Sequence, residues 1–337
     1  MFIGELTRLS FAPSSQSATF KVWHDGKPIF AGEFFRGADG MITIWDLDQI
    51  LQPYISEQYA DFMFTVHDEP LTSHYVSVFY CAWSLDVPAS VFLEKRFLTP
   101  TDGTRITGPG RHETLTAFCA APTQAKAVCL YCSEDGATSS AEVQLGEVSG
   151  IGVLNVSPAR FENMPKGRLF AYSVVCGERK ADYIVEKSLP ELSDAFIFRN
   201  SFNAWDTIYL CGTRTVEPQY TRLSADVDGY RRNYSINEVL QLKTYTGPLL
   251  PGMEWVAMSL ARSQAVFLLL PNGDSGDEIL VNDCDLKHDN SWGSPVDLTF
   301  SYRTASVSYR LADDRVARLS IPRPPRIFDD SFDKTYE

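Results

Sequence analysis

The sequence predicts an all-β fold, and three observations predict it. Short runs rich in Val, Ile, Phe, Tyr and Thr recur at strand length. Several alternate apolar with polar residues, as a sheet with one wet face requires. Gly, Asp, Asn, Pro and Ser clusters separate them as turns. The expected architecture is two or three β-sandwich-like domains with a few short helices and an extended C-terminal arm.

In chain order the expected strands are Ala18–Trp23, Met41–Trp45, Asp61–Val66, Tyr75–Cys81, Thr114–Cys119, Ala127–Tyr131, Leu169–Val175, Trp255–Leu260, Ala265–Leu270 and Val296–Tyr302. Asp39-Gly40 carries the signal of a hairpin turn. Three segments predict short helices. Asp46–Gln52 has Asp46 as cap and Pro53 as stop, Pro88–Arg96 has its proline where a missing N–H is harmless, and Ser235–Glu238 has capping-box spacing ahead of Val239, Leu240 and Leu242.

Boundaries follow composition. The Pro-, Gly- and Thr-dense run Leu98–Gly110 reads as a linker or long loop, and a second change falls near Lys187–Glu191. The expected division is 1–98, 111–188 and 189–319, with 320–337 as a tail that cannot build a core. Pro322, Pro324 and Pro325 favour extended backbone, and Phe328, Phe332 and Tyr336 are spaced through an acidic stretch as anchors for a neighbouring subunit.

Composition narrows the function classes. With 337 residues and 44% hydrophobic content, the chain has material for more than one core. A net charge of −13 with scattered Lys and Arg argues against nucleic acid and anionic membranes as partners. No run approaches the length of a membrane span, and the start of the chain has no signal-peptide pattern, so synthesis and assembly in the cytoplasm are expected. Seven cysteines, an odd number in a long chain, fit free thiols better than a disulfide framework.

The most distinctive segment is Phe196-Ile-Phe-Arg-Asn-Ser-Phe-Asn-Ala-Trp-Asp-Thr-Ile-Tyr-Leu-Cys211, a polar turn between two apolar runs. Two others accompany it, Phe34–Asp48 with its Trp-Asp-Leu-Asp ending, and Ile279–Lys287 followed by Val296–Arg303. Together these segments resemble tail- and virion-associated proteins of the phages and prophages of gut Bacteroidetes. The resemblance implies a virion component and carries over no catalytic residue.

Candidate chemistry is sparse. Gly273-Asp-Ser-Gly276 spells the nucleophile motif of trypsin-like proteases, but Asp277 replaces the next glycine and no histidine has the matching context, so a hairpin loop is expected and Ser275 is not a nucleophile. Cys129 and Cys132 have half of a zinc-site spacing without a second pair, and strand alternation would turn them to opposite faces. Asp283, Asp285 and Asp289 resemble the start of a calcium loop, yet Lys287 sits at a ligand position; Asp226–Gly229 also lacks the required ligands. His24, His67, His74, His112 and His288 show no metal-site spacing, although a hairpin would bring His67 and His74 near each other. Trp205 with Asp206 has two readings, a sugar platform of indole face and carboxylate or a core anchor beside a turn cap.

No catalytic, cofactor or metal residue is nominated, and the expectation is not an enzyme. A structural subunit of a phage tail or baseplate is expected to act by assembly, partnering itself and other virion proteins. The alternative is a module binding host-surface glycans or proteins, with a glycan hydrolase behind it. Candidate interaction residues are Phe328, Phe332, Tyr336, Trp205 and Asp206.

Overall fold

The first third of the chain forms β1 (Arg8–Phe11), β2 (Ser17–His24), β3 (Lys27–Phe35), β4 (Ile42–Trp45), α1 (Leu47–Leu51), β5 (Tyr59–His67), β6 (Thr72–Phe79) and α2 (Ala89–Lys95). β3-β2-β5-β6 make an antiparallel sheet, and β1 pairs with β4. Alternation in β2 places Ala18, Phe20 and Val22 in the core, where Phe62, Phe64, Ile42 and Ile44 meet them.

The middle third forms β7 (Arg105–Thr107), β8 (Thr114–Cys132), β9 (Thr138–Asn155), β10 (Arg168–Cys176) and β11 (Arg179–Val185). Their order is β7-β11-β10-β8-β9, with β7 and β11 parallel and the other pairs antiparallel. The core of this sheet mixes aliphatic and aromatic residues, with Tyr172 and Tyr183 stacked at 4.7 Å and Tyr131 donating to the Phe161 carbonyl at 2.9 Å.

The last third forms β12 (Asp194–Arg199), β13 (Trp205–Leu210), β14 (Arg214–Val227), β15 (Tyr230–Tyr245), α3 (Met253–Arg262), β16 (Val266–Leu269), β17 (Ser275–Lys287) and β18 (Asp297–Thr304). The seven strands lie in the order β13-β12-β16-β17-β18-β15-β14. α3 packs Val256, Ala257 and Leu260 onto Phe196, Phe300 and Tyr302.

The computed structural model describes residues 1–68, 71–101, 103–162, 167–187, 194–247, 249, 252–287 and 297–304. The expected tail 320–337, with Phe328, Phe332 and Tyr336, lies outside them, as do His288 and Asp289. Met1–Ala305 pack as one compact unit. A shared cluster helps to join the three segments, with Phe92 against Phe202 at 5.0 Å, Phe2 against Phe92 at 5.4 Å and Phe79 against Phe118 at 4.8 Å.

The fold is all-β with three short α-helices among the described residues, and several local expectations need correction. Trp255–Leu260, expected as a strand, lies in α3; its short apolar run suits either period, and Val256, Ala257, Ser259 and Leu260 bury one helical face. Ser235–Glu238, expected as a helix start, lies in β15, because register with β14 overrides a local capping pattern. Asp39-Gly40 forms a turn with Gly40 at φ 81°, but β3 and β4 pair with β2 and β1 rather than with each other. Asp46 precedes α1 in the left-handed region (φ 56°) without a side-chain cap bond. Two expected strands, 114–119 and 127–131, are one long strand, β8.

Candidate interaction sites

Arg199–Asp206 links β12 to β13 as a tight, largely buried turn. Asn200 shapes it, its side-chain oxygen accepting from Phe202 N at 2.9 Å and Ala204 N at 3.2 Å. Asn203 takes the left-handed conformation (φ 57°) that asparagine tolerates, and its amide donates to the Ser56 and Glu57 carbonyls at 3.0 and 2.8 Å. Ser201 N donates to Ser259 Oγ of α3 at 2.7 Å, and Ala82 N donates to the Ser201 carbonyl at 2.8 Å. Polar residues of the turn therefore act as a clasp between the first third of the chain and α3.

Asp206 completes the clasp toward the middle sheet. Its carboxylate accepts from Arg105 Nη1 at 2.9 Å and Nη2 at 3.1 Å, and from Thr99 Oγ1 at 2.9 Å. Arg105 and Asp206 are 4% and 2% exposed, so the pair is desolvated and its geometry matters. The run Leu98–Gly110, expected as a linker or loop, instead carries β7 and this buried arginine. Glu113, also buried, lies 3.9 Å from Arg105; burial pushes its carboxyl up to about 7, with Arg105 opposing.

Trp205 and Asp206 do not form one platform. Adjacent strand residues face opposite ways. Asp206 points to Arg105, whereas half-buried Trp205 packs edge-on to Phe267 and lies under the Arg199 guanidinium, 4.5 Å from the ring centre. The carboxylate is buried and fully engaged, and the indole face already has a cation on it.

The remaining motifs separate in space. Asp274 and exposed Ser275 lie in the β16–β17 hairpin, where Leu270 N donates to Asp274 O at 2.9 Å. Cys129 is buried and Cys132 half-buried on opposite faces of β8, and all seven cysteines are free thiols. His74 pairs in register with Phe64 and His67 with Thr19, which places the two histidines on different rungs. Asp228 (φ 53°) and Gly229 (φ 77°) make the tip of the β14–β15 hairpin. Among the described residues no group of three or more His, Cys, Asp or Glu side chains is placed to hold a metal ion. No described helix is long and apolar enough to cross a membrane.

That hairpin is the surface that sequence reasoning missed. At its base Leu242–Tyr245 of β15 pair with β18, and among the described residues the two strands pair only with each other from Glu217↔Gln241 to the tip. This free ribbon extends roughly 35 Å at about 3.3 Å per residue. Gly212 anchors its base, since any Cβ there would clash with the Tyr245 carbonyl oxygen. Register places Val216, Pro218, Tyr220 and Arg222 on one face with Leu242, Leu240 and Glu238, and Glu217, Gln219, Thr221 and Leu223 on the other with Gln241 and Val239. Leu242 packs on the core of the seven-stranded sheet, whereas farther out Val216, Tyr220 and Leu240 are 51%, 52% and 40% exposed. The core-facing side thus continues into solvent. At the sheet's opposite edge β13 is covered, Tyr209 Oη donating to the His112 carbonyl at 2.9 Å. Compared with known proteins, the chain matches no family model and no curated protein sequence.

Proposed function

We propose that the protein is a structural subunit that acts by assembly, as a tail or baseplate component of a phage, and that the β14–β15 hairpin docks on a second copy. The observation that carries this reading is the projecting ribbon whose core-facing side exposes Val216, Tyr220 and Leu240. A lone two-stranded ribbon is marginally stable in water, so a covering surface supplies what the hairpin lacks. Reciprocal docking of two arms, each burying roughly 350 Å² of its own face and an equal area of the other copy, buries about 1,400 Å² in total, within the range of standard interfaces.

Charge favours a copy of the same chain. Arg214–Tyr245 hold five basic and four acidic residues in a protein of net charge −13, so a near-neutral arm meets a strongly acidic body. Pro218 on the edge strand lacks an N–H and works against edge-to-edge pairing, which leaves the face as the docking surface. Replacing Glu217–Gln241 with Asn-Gly keeps the base of the hairpin and removes the arm. Light scattering should find the parent chain oligomeric and the shortened chain monomeric with its fold intact. A parent chain that stays monomeric at high concentration and is absent from virions overturns the reading.

A further inference from the structure

Two buried thiols of the middle sheet lie against each other. Cys119 of β8 and Cys176 of β10, 57 residues apart in sequence, have their Sγ atoms 3.7 Å apart. Cys176 pairs in register with Ala125, and at about 3.3 Å per residue a straight β8 would carry Cys119 roughly 20 Å beyond that rung, so the strand bends back between them. At this bend the pairing of β8 with β9 skips the exposed residues Ala120, Ala121 and Pro122, so Cys119 adjoins a solvent-facing stretch of chain. Buried Arg179 stands beside the thiols. Its Nη1 donates to the Cys176 carbonyl at 3.2 Å, and its Nη2 to the Leu93 carbonyl and to the Phe118 carbonyl at 2.6 Å. Its Nε has no hydrogen-bond partner, and the guanidinium makes no ion pair among the described residues.

We propose that Cys119 and Cys176 are a redox pair, modified by a small hydroperoxide to give a reversible disulfide. The Cys176 thiol loses its proton and the thiolate attacks one oxygen of hydrogen peroxide, breaking the O–O bond; Cys176 becomes the sulfenic acid, and the departing hydroxide takes the proton as water. Cys119 sulfur then displaces hydroxyl from the Cys176 sulfur, the S–S bond forms and a second water leaves. Two thiols and one peroxide thus give one disulfide and two waters. Closing 3.7 Å to a bond of about 2.05 Å asks for only a small shift at a bend in the strand. Burial pushes the Cys176 thiol up to about 11, with the Cys119 thiol adding to the rise and the Arg179 guanidinium opposing it. Arg179 is therefore a positioning residue: a buried cation without a carboxylate favours the thiolate that starts the reaction. The inference stands independently of the hairpin and of assembly.

Peptide mass mapping of the folded full chain tests it, after exposure to hydrogen peroxide and alkylation of the remaining thiols in denaturant. A linked Cys119–Cys176 peptide, lighter by two hydrogens than its reduced halves, should be the main intramolecular disulfide and should disappear with dithiothreitol. Its initial rate of formation should rise about tenfold per pH unit between about pH 7 and 9, as the thiolate fraction does. Cys119→Ser should stop the reaction at the sulfenic acid, which dimedone traps on Cys176. Arg179→Gln should slow the reaction about tenfold and shift its pH profile upward. The near-isosteric Cys119→Ser keeps the test available should Arg179→Gln fail to fold. Cys119 and Cys176 left reduced while exposed Cys284 is oxidised, a link formed only after denaturation, or an unchanged pH profile in folded Arg179→Gln would overturn the proposal.

Discussion

Arg105 and Asp206, 101 residues apart in sequence, form a bidentate ion pair at 2.9 and 3.1 Å inside the protein. The pair ties the end of the Asn200-centred turn to the short parallel strand β7, so one interaction couples the middle and last sheets.

Removing one partner should be costly. Asp206→Asn removes the bidentate partner of the buried Arg105 guanidinium and leaves only the Glu113 carboxyl, 3.9 Å away, beside it, and a loss of about 3–5 kcal/mol is expected in urea unfolding. Asn200→Ala, which deletes two acceptor contacts to the turn backbone, should cost about 1–3 kcal/mol. A loss under about 1 kcal/mol for Asp206→Asn would show that the pair does not hold the sheets together.

Glu113 should make stability fall with rising pH. Its carboxyl is raised from 4.5 to about 7 in the folded protein, chiefly by burial, so the folded state binds the proton more tightly than the unfolded one. The stabilising contribution is therefore complete below about 4.5 and is lost as pH rises through about 7, a difference of about 3 kcal/mol. Measured against Glu113→Gln, wild-type stability should decline relative to the variant across that window. A pH-independent difference between the two proteins would contradict the assignment.

Tyr220→Ser and Leu240→Ser should separate assembly from folding. Both side chains are about half exposed on the ribbon, so monomer melting should barely move. Each loses burial worth on the order of 2 kcal/mol in an assembled contact, and sedimentation should show dissociation at higher protein concentration than for the parent. Unchanged association would place the contact elsewhere.

Ser275→Ala should be neutral within about 0.5 kcal/mol, as for an exposed hairpin residue, and a fluorophosphonate probe should not label Ser275. Labelling at this serine would make the Gly-Asp-Ser-Gly spelling more than a turn.

The all-β class was legible in the sequence because alternation and turn residues are local signals. β2 and β10 read as strands from their own composition, and α1 and α2 from short runs ended by Pro53 or begun by Pro88. Local signals misled where two periods fit one run, as in Trp255–Leu260, or where a distant strand imposed its register, as in Ser235–Glu238. The turn around Trp205 stood out as distinctive, but its role depends on partners with no local trace: Arg105 in a stretch that reads as a linker, Ser259 on a helix that reads as a strand, and Ser56 and Glu57 about 150 residues earlier. Tertiary packing decided that Asp206 is consumed by an internal ion pair, that the Cys119 and Cys176 thiols meet, and that the β14–β15 ribbon leaves the core. Each outcome depends on which non-neighbouring surfaces exclude water together, and the order of residues along the chain does not encode that by periodicity alone.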